Sequence, residues 1–158
     1  MKTLQEQLVA AIKSSHTFFK NSTDCLEESD SEFAPQPGMF TTAQQVAHVA
    51  QAIEWFVSGA FNPKGFSMDF ENAEKQVRQV KSLQLAREWL DRATSTAIET
   101  FSTKSETELN SPLPAGPIMG GEPVHHVVAS MVDHAAHHRG ALTVYARLRS
   151  RVPGMPYA

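Results

Sequence analysis

The sequence predicts an all-α protein, a four-helix bundle with long connecting loops. Three observations lead there. Four segments repeat apolar residues at spacings of three and four, the period of one helix face. No segment of any length shows the strict apolar–polar alternation of a half-buried strand. The chain has 158 residues, 41% hydrophobic and 20% charged, an ordinary globular mix that suits one domain over residues 1–158 with its own core.

The first helix is expected from about Thr3 to Ser29, with Leu4, Leu8, Ile12, Ser15, Phe19 and Leu26 near one stripe. Pro35, Pro37 and Gly38 make the following segment a loop. The second helix starts at Thr41 or Thr42, because Thr41…Gln44 and Thr42…Gln45 both have capping-box spacing. It runs to about Ser58, where Gly59 and Pro63 supply the stop. Asp69 to Val80 reads as a short polar helix over one end of the core. Ser82 suits the N-cap of the third long helix, on which Leu83, Ala86, Leu90, Ala93, Ala97 and Phe101 repeat. Asn110 to Pro123 holds four prolines and three glycines and reads as an ordered loop. Pro123, at a favourable first helical position, opens the fourth helix, which continues to about Ser150. Connections this long leave room for crossover topology.

Composition narrows the function classes. Fourteen Lys and Arg against seventeen Asp and Glu give a net charge of −3, with no basic cluster to meet nucleic acid or an anionic membrane. No stretch approaches the roughly 20 apolar residues of a membrane span, and the first residues lack a signal peptide's apolar run. The single cysteine, Cys25, forms no internal disulfide and fits a reducing compartment. The expectation is a cytoplasmic protein with no nucleic-acid or membrane partner.

The seven histidines are the unusual feature. On a wheel of about 100° per residue, Val127, Val128, Met131, Ala135, Leu142 and Tyr145 define the buried stripe of the fourth helix. His138 falls inside that stripe and His134 at its margin. His137 and Asp133 fall off it, as do His125 and His126. His134 and His138 are one turn apart, with Cβ atoms about 5–6 Å from each other. That spacing lets two imidazoles converge on one divalent ion at nitrogen bonds near ~2.0–2.1 Å. His48 offers a third imidazole from the second helix, at the flank of the face marked by Val46, Val49, Ile53, Phe56 and Val57. A bundle builds an internal metal site from side chains on facing helices. Three imidazoles with an open position suit a catalytic site more than a closed one. Imidazole accepts Zn, Ni, Cu or Fe, so the metal is not chosen by the ligands. The competing explanation is a set of core histidines bonded to backbone carbonyls or carboxylates.

These residues carry a resemblance. Ala43-Gln44-Gln45-Val46-Ala47-His48, the string Asp133-His134-Ala135-Ala136-His137-His138-Arg139-Gly140, and the closing Tyr145 to Tyr157 segment resemble the DinB-like metal-binding bundles, a family related to the bacillithiol and mycothiol transferases. The resemblance covers nearly the whole chain. It implies a four-helix bundle with a divalent metal (Zn, Ni or Fe) held by His48, His134 and His138. It also implies a small-molecule substrate or low-molecular-weight thiol, and a homodimer by analogy. The chain departs from many relatives at Ala141, where they carry Gln.

Several other residues invite a role. Asp133 and Arg139 flank the histidines and suit bonds to the far ring nitrogens, although Asp133 faces outward and suits a surface ion pair better. Tyr145 suits a bonded core tyrosine better than a proton donor. Glu54 suits a solvated position better than a general base. Trp55 and Trp89 read as core or rim packing. The acidic neighbours of Cys25 argue against a nucleophilic thiol. Gly120-Gly121 follows no strand and makes no phosphate-binding fingerprint. No catalytic residue is identified. The second helix is apolar over a wide arc, with Ala47 and Ala50 extending it, which points to self-association, the competing explanation being that the Asp69–Val80 segment covers this surface within one chain.

Two functions remain open. One is a metal-dependent enzyme of thiol S-transferase, isomerase or hydrolase type. The other is a non-catalytic metal-binding or stress-response bundle. An open metal position at the base of a pocket separates the first from the second.

Overall fold

The computed structural model describes residues 2–158. Along the chain come α1 (Leu4–Thr23), a 3-10 turn (Glu28–Asp30), α2 (Thr42–Phe61), α3 (Phe70–Arg78), α4 (Leu83–Thr103), α5 (Glu106–Asn110) and α6 (His126–Leu148). The four long helices form a ring in the order α1, α4, α2, α6, each packed on the next. Thus α1 and α2 lie on one diagonal, and α4 and α6 on the other. The long connections 24–41 and 104–125 each join diagonal partners, which a tight turn cannot do.

Local chemistry sets most helix starts. Thr3 accepts from the Glu6 N–H while Glu6 accepts from the Thr3 N–H. Thr41 and Gln44 do the same for α2, so of the two overlapping capping boxes the first is used. Ser82 caps α4 through the Leu85 N–H, as its sequence position suggests. Ser105 and Glu108 cap α5, a short helix absent from the sequence reading although the same spacing announces it.

Two boundaries differ from expectation. α1 stops at Thr23 rather than near Ser29. Leu26 is buried as expected, but it reaches the core from the turn after the helix. α6 starts at His126, not Pro123. The residues before it are held by cross-loop pairing instead. Leu113 N–H donates to the Glu122 carbonyl (2.7 Å), Val124 N–H to Ser111 (2.9 Å) and His125 N–H to Leu109 (3.0 Å). Pro112 and Pro123 face each other in this short bridge.

α2 is the central element. Thirteen of its twenty residues are buried, which explains an apolar arc wider than one neighbour needs. α4, α6 and α3 all pack against it. The surface that pointed to self-association is therefore covered within one chain. No helix among the described residues is long and apolar enough to cross a membrane.

Asp30 ties the end of the bundle together. Its side chain is 0% exposed. It accepts from the Glu27 N–H (2.9 Å), from Arg149 Nε (2.9 Å) and from Arg151 Nε (3.0 Å). Burial alone would raise the pKa of this carboxyl, but the Glu27 N–H and the two guanidiniums outweigh it and hold the group below its ordinary value. The contact joins the turn after α1 to the residues after α6. Asp30→Asn keeps the shape and removes the charge. It should lower stability by about 2–4 kcal/mol, less than the ~3–5 of a wholly buried pair because both arginines keep some contact with water. Urea unfolding at neutral pH measures this, and a loss below about 1 kcal/mol, the range of an exposed pair, would reject it.

Candidate metal centre

α2 and α6 adjoin in the ring, and each turns histidine toward the other. His48 comes from α2, and His134 and His138 from successive turns of α6. Their ring centroids are 5.0 Å apart for His48–His134, 4.8 Å for His48–His138 and 4.6 Å for His134–His138. One ring nitrogen from each lies within 4.8 Å of the other two. Ligands of a tetrahedral site with ~2.1 Å bonds are about 3.4 Å apart, so ligation requires the rings to close on the ion. His138 is buried, and His48 and His134 are half-buried. His137 is exposed and stands outside the cluster, as the wheel indicates. His125 and His126 lie at the start of α6, and His16 pairs with Asp91 across α1 and α4.

Gln45 orients this cluster. His138 Nδ1 donates to Gln45 Oε1 (2.5 Å). Gln45 Nε2 donates to the Tyr145 hydroxyl (3.2 Å), which in turn donates to the Phe40 carbonyl (2.9 Å). The chain of donors fixes both the amide orientation and the tautomer. With its proton on Nδ1, neutral His138 leaves Nε2 as a bare lone pair. His134 Nε2 is buried and has no hydrogen-bond partner among the described residues. An orphaned buried nitrogen costs about 1–3 kcal/mol, and a bound cation would supply the missing partner. The donor set fits a divalent ion that accepts imidazole.

Burial keeps the rings neutral. It pushes His134 down to about 4 and His138 down to about 3, and neighbouring histidine charge adds to both. Burial also lowers His48, with Gln51 opposing. Ligand imidazoles must be unprotonated, so the site is prepared over the neutral range.

The cluster is reached from outside. His48 and His134 line a cleft of about 650 Å³ between α2 and residues 62–76. Trp55, Phe66 and Phe70 form an aromatic wall, with Phe66 4.7 Å from Trp55. Trp55 Nε1 donates to the Ser67 carbonyl (2.8 Å), and Gln51 Nε2 to Ala73 (2.7 Å), fastening that segment to α2. Gly59 permits the wall, because a Cβ there would sit 2.1 Å from the Phe66 ring.

The profile of the DinB superfamily matches residues 11–142. The chain belongs to the DinB superfamily. The fold is also similar to the crystal structure of a DinB-like protein from Bacillus cereus ATCC 10987. The TM-score is 0.75 at 19% identity, covering 94% of this chain and 95% of that one. Identity this low speaks for the fold alone. Comparison with curated proteins finds no match.

Within this DinB-superfamily chain the flanking residues take modest places. Asp133 is exposed and has no ion-pair partner among the described residues, so the expected surface pair is absent. Arg139 does not bond a histidine; it packs against Phe18 and Tyr157. Tyr145 is a bonded core tyrosine. Glu54 accepts from Trp89 Nε1 (2.8 Å) at the cleft rim. Cys25 is raised chiefly by burial rather than by its acidic neighbours. The amide that contacts a histidine belongs to Gln45 on α2, not to position 141, where Ala141 is half-buried. Gln45 escaped the sequence reading because it matched a helix cap equally well.

Acid should act through the histidines. In an unfolded chain they titrate near ~6.5. Below that pH the unfolded state takes up protons that folded His134 and His138 refuse until about 4 and about 3. Stability of the metal-free protein must therefore fall as pH drops through this window. The urea midpoint of chelator-treated protein should be lower at about pH 5, inside that window, than at about pH 7, above it, and His138→Phe should flatten the difference. Equal midpoints in the parent would refute the neutral, buried state.

Gly59→Ala sets two effects against each other. Alanine favours the helix by about 1 kcal/mol. Overlap with Phe66 costs about 1–3 kcal/mol if the ring stays, so the ring should leave. Stability should change little while Trp55 fluorescence shifts as its neighbour moves. An unchanged spectrum would mean that Phe66 does not depend on Gly59.

Proposed function

We propose that this DinB-superfamily chain, read as one domain, is a metal-dependent enzyme acting on a small molecule. His48, His134 and His138 hold a divalent ion, and Gln45 orients His138. The single observation that carries the reading is the aromatic-walled cleft that ends on His48 and His134. A closed coordination sphere would have no use for such an approach. A divalent ion with three neutral imidazoles keeps its charge, so it can polarise a carbonyl or lower the pKa of a bound water or thiol.

The chain's own groups suit that chemistry. The cleft walls supply apolar contact for the body of a substrate, and Gln51, Asn72 and Lys64 supply polar contact at the rim. The three imidazoles resist protonation and so do not repel a cation. Transfer or isomerisation through a low-molecular-weight thiol, or hydrolysis, fits this arrangement. Zn, Ni and Fe all suit the donors. Self-association has no part in the reading, because the α2 arc that suggested it is buried within the chain. Nucleic acid is no partner either, given the net charge of −3.

Purified protein should carry about one divalent ion per chain by elemental analysis, as a single three-histidine site requires. His48→Ala, His134→Ala or His138→Ala should each abolish retention, while His137→Ala leaves it intact. Gln45→Leu should weaken metal affinity about 10–100-fold by releasing the His138 ring. A thiol-transferase and hydrolase panel with and without chelator tests the activity. One bound ion with no chelator-sensitive turnover would favour the non-catalytic binding protein. Retention unaffected by the three histidine variants would refute the site.

A further inference from the structure

The second half of the α6 motif points away from the histidines. The Arg139 guanidinium lies 6.0 Å from the ring centre of Phe18 on α1 and 5.8 Å from that of Tyr157 near the chain end. Those two rings meet edge to face at 4.9 Å. The guanidinium is thus framed by aromatic faces, yet faces do not accept its N–H donors in the way oxygens do. Nη1 is shielded from water and has no hydrogen-bond partner among the described residues. No carboxylate among the described residues pairs with this side chain either.

Beside it lies a second cleft, of about 330 Å³, on the α1 side of α6. Ser14 and Ser15 line it with hydroxyls, and Phe18, Val132, Ala135 and Tyr157 line it with apolar surface. No acidic residue is among its lining residues. A permanent positive charge with unused donors, two hydroxyls and an apolar wall describe a complementary ligand. Its head is an oxyanion that takes a guanidinium side-on through two oxygens, and its body is apolar.

We infer that this cleft is a binding site for an organic monocarboxylate. The carboxylate sits on Arg139 and the serine hydroxyls, and the apolar body lies against Phe18, Val132, Ala135 and Tyr157. Inorganic phosphate shares the charge but leaves the apolar wall uncovered, so it should bind more weakly. The site is separate from the histidine cleft and does not depend on metal.

Titration of isotope-labelled full-length protein with benzoate, acetate and inorganic phosphate, followed by amide NMR, tests it. Benzoate should give saturable shifts centred on residues 14–18, 132–139 and 157, with affinity about tenfold or more above acetate and phosphate, the effect of burying its ring. Arg139→Met should weaken benzoate about tenfold or more, the worth of a charge-assisted pair. Without ligand, the same variant should melt no lower than the parent, since it removes a buried unpaired donor. Absent or unsaturable shifts would overturn the inference. So would shifts centred on His48 and Trp55, which would mean that benzoate occupies the histidine cleft. Equal affinity for phosphate would refute the organic class. A variant that melts lower, together with a parent indifferent to benzoate, would make Arg139 a packing strut. The wild-type titration stands even if the variant fails to fold.

Discussion

Everything in this fold depends on a helix that has almost no outside. α2 packs on α4 and α6 in the ring, and α3 crosses its remaining side. A helix in that position must be apolar nearly all round, and any polar side chain it carries must find its partner inside the protein. Gln44 does so at the cap and at the Arg78 carbonyl. Gln45 does so by bridging Tyr145 and His138. His48 faces two other imidazoles. The polar groups of α2 are therefore not scattered exceptions in a core. Gln45 and His48 meet the polar groups of α6, while Gln44 and Gln51 bond backbone carbonyls at Arg78 and Ala73.

That constraint shapes the chemistry. Imidazoles in this setting resist protonation because burial penalises the charged ring, and the rings would repel one another if charged. The same exclusion of water leaves His134 Nε2 without a partner. A packing arrangement that gathered three polar rings, one with an unpartnered nitrogen, for stability alone would be a poor one, since apolar replacements would fill the space at less cost. A shared cation would satisfy these nitrogens without adding a group to the protein. Gln45 limits the freedom of one ring, while the cleft keeps the other two accessible from the solvent side.

Much of this was legible in the residues, because periodicity is a local signal read along one helix. The 3.6-residue repeat of α6 separates His138 from His137, and the structure separates them in the same way. His48 was visible as a third imidazole at the flank of α2. What escaped depends on contacts between distant residues or on a choice between equal local patterns. Thr41…Gln44 and Thr42…Gln45 satisfy the same capping rule, and only the fold decides that Gln44 caps while Gln45 turns inward. Pro123 obeys the rule for a first helical residue, but pairing of 109–113 with 121–125 delays the helix to His126. Leu26 keeps the stripe's phase seven residues after Phe19, so the stripe overran the true end of α1. Only α5 was missed without such an excuse, since Ser105…Glu108 carries its own capping signal.

The ring order explains why the long loops are not idle. Had α1 and α2 been neighbours, a short turn could have joined them. Placing them on a diagonal sets α2 between α4 and α6 and forces the chain to cross an end of the bundle twice. Each crossing then needs an anchor. Asp30 anchors one, by joining the turn after α1 to Arg149 and Arg151 beyond α6. The pairing of 109–113 with 121–125 anchors the other, directly before the helix that bears His134 and His138. Both anchors act on α6, one at each end. The rotation of that helix decides which of its faces meets His48 and which meets α1. A register that turns His134 and His138 inward necessarily turns Arg139 toward Phe18, so the two clefts are set by a single orientation of α6.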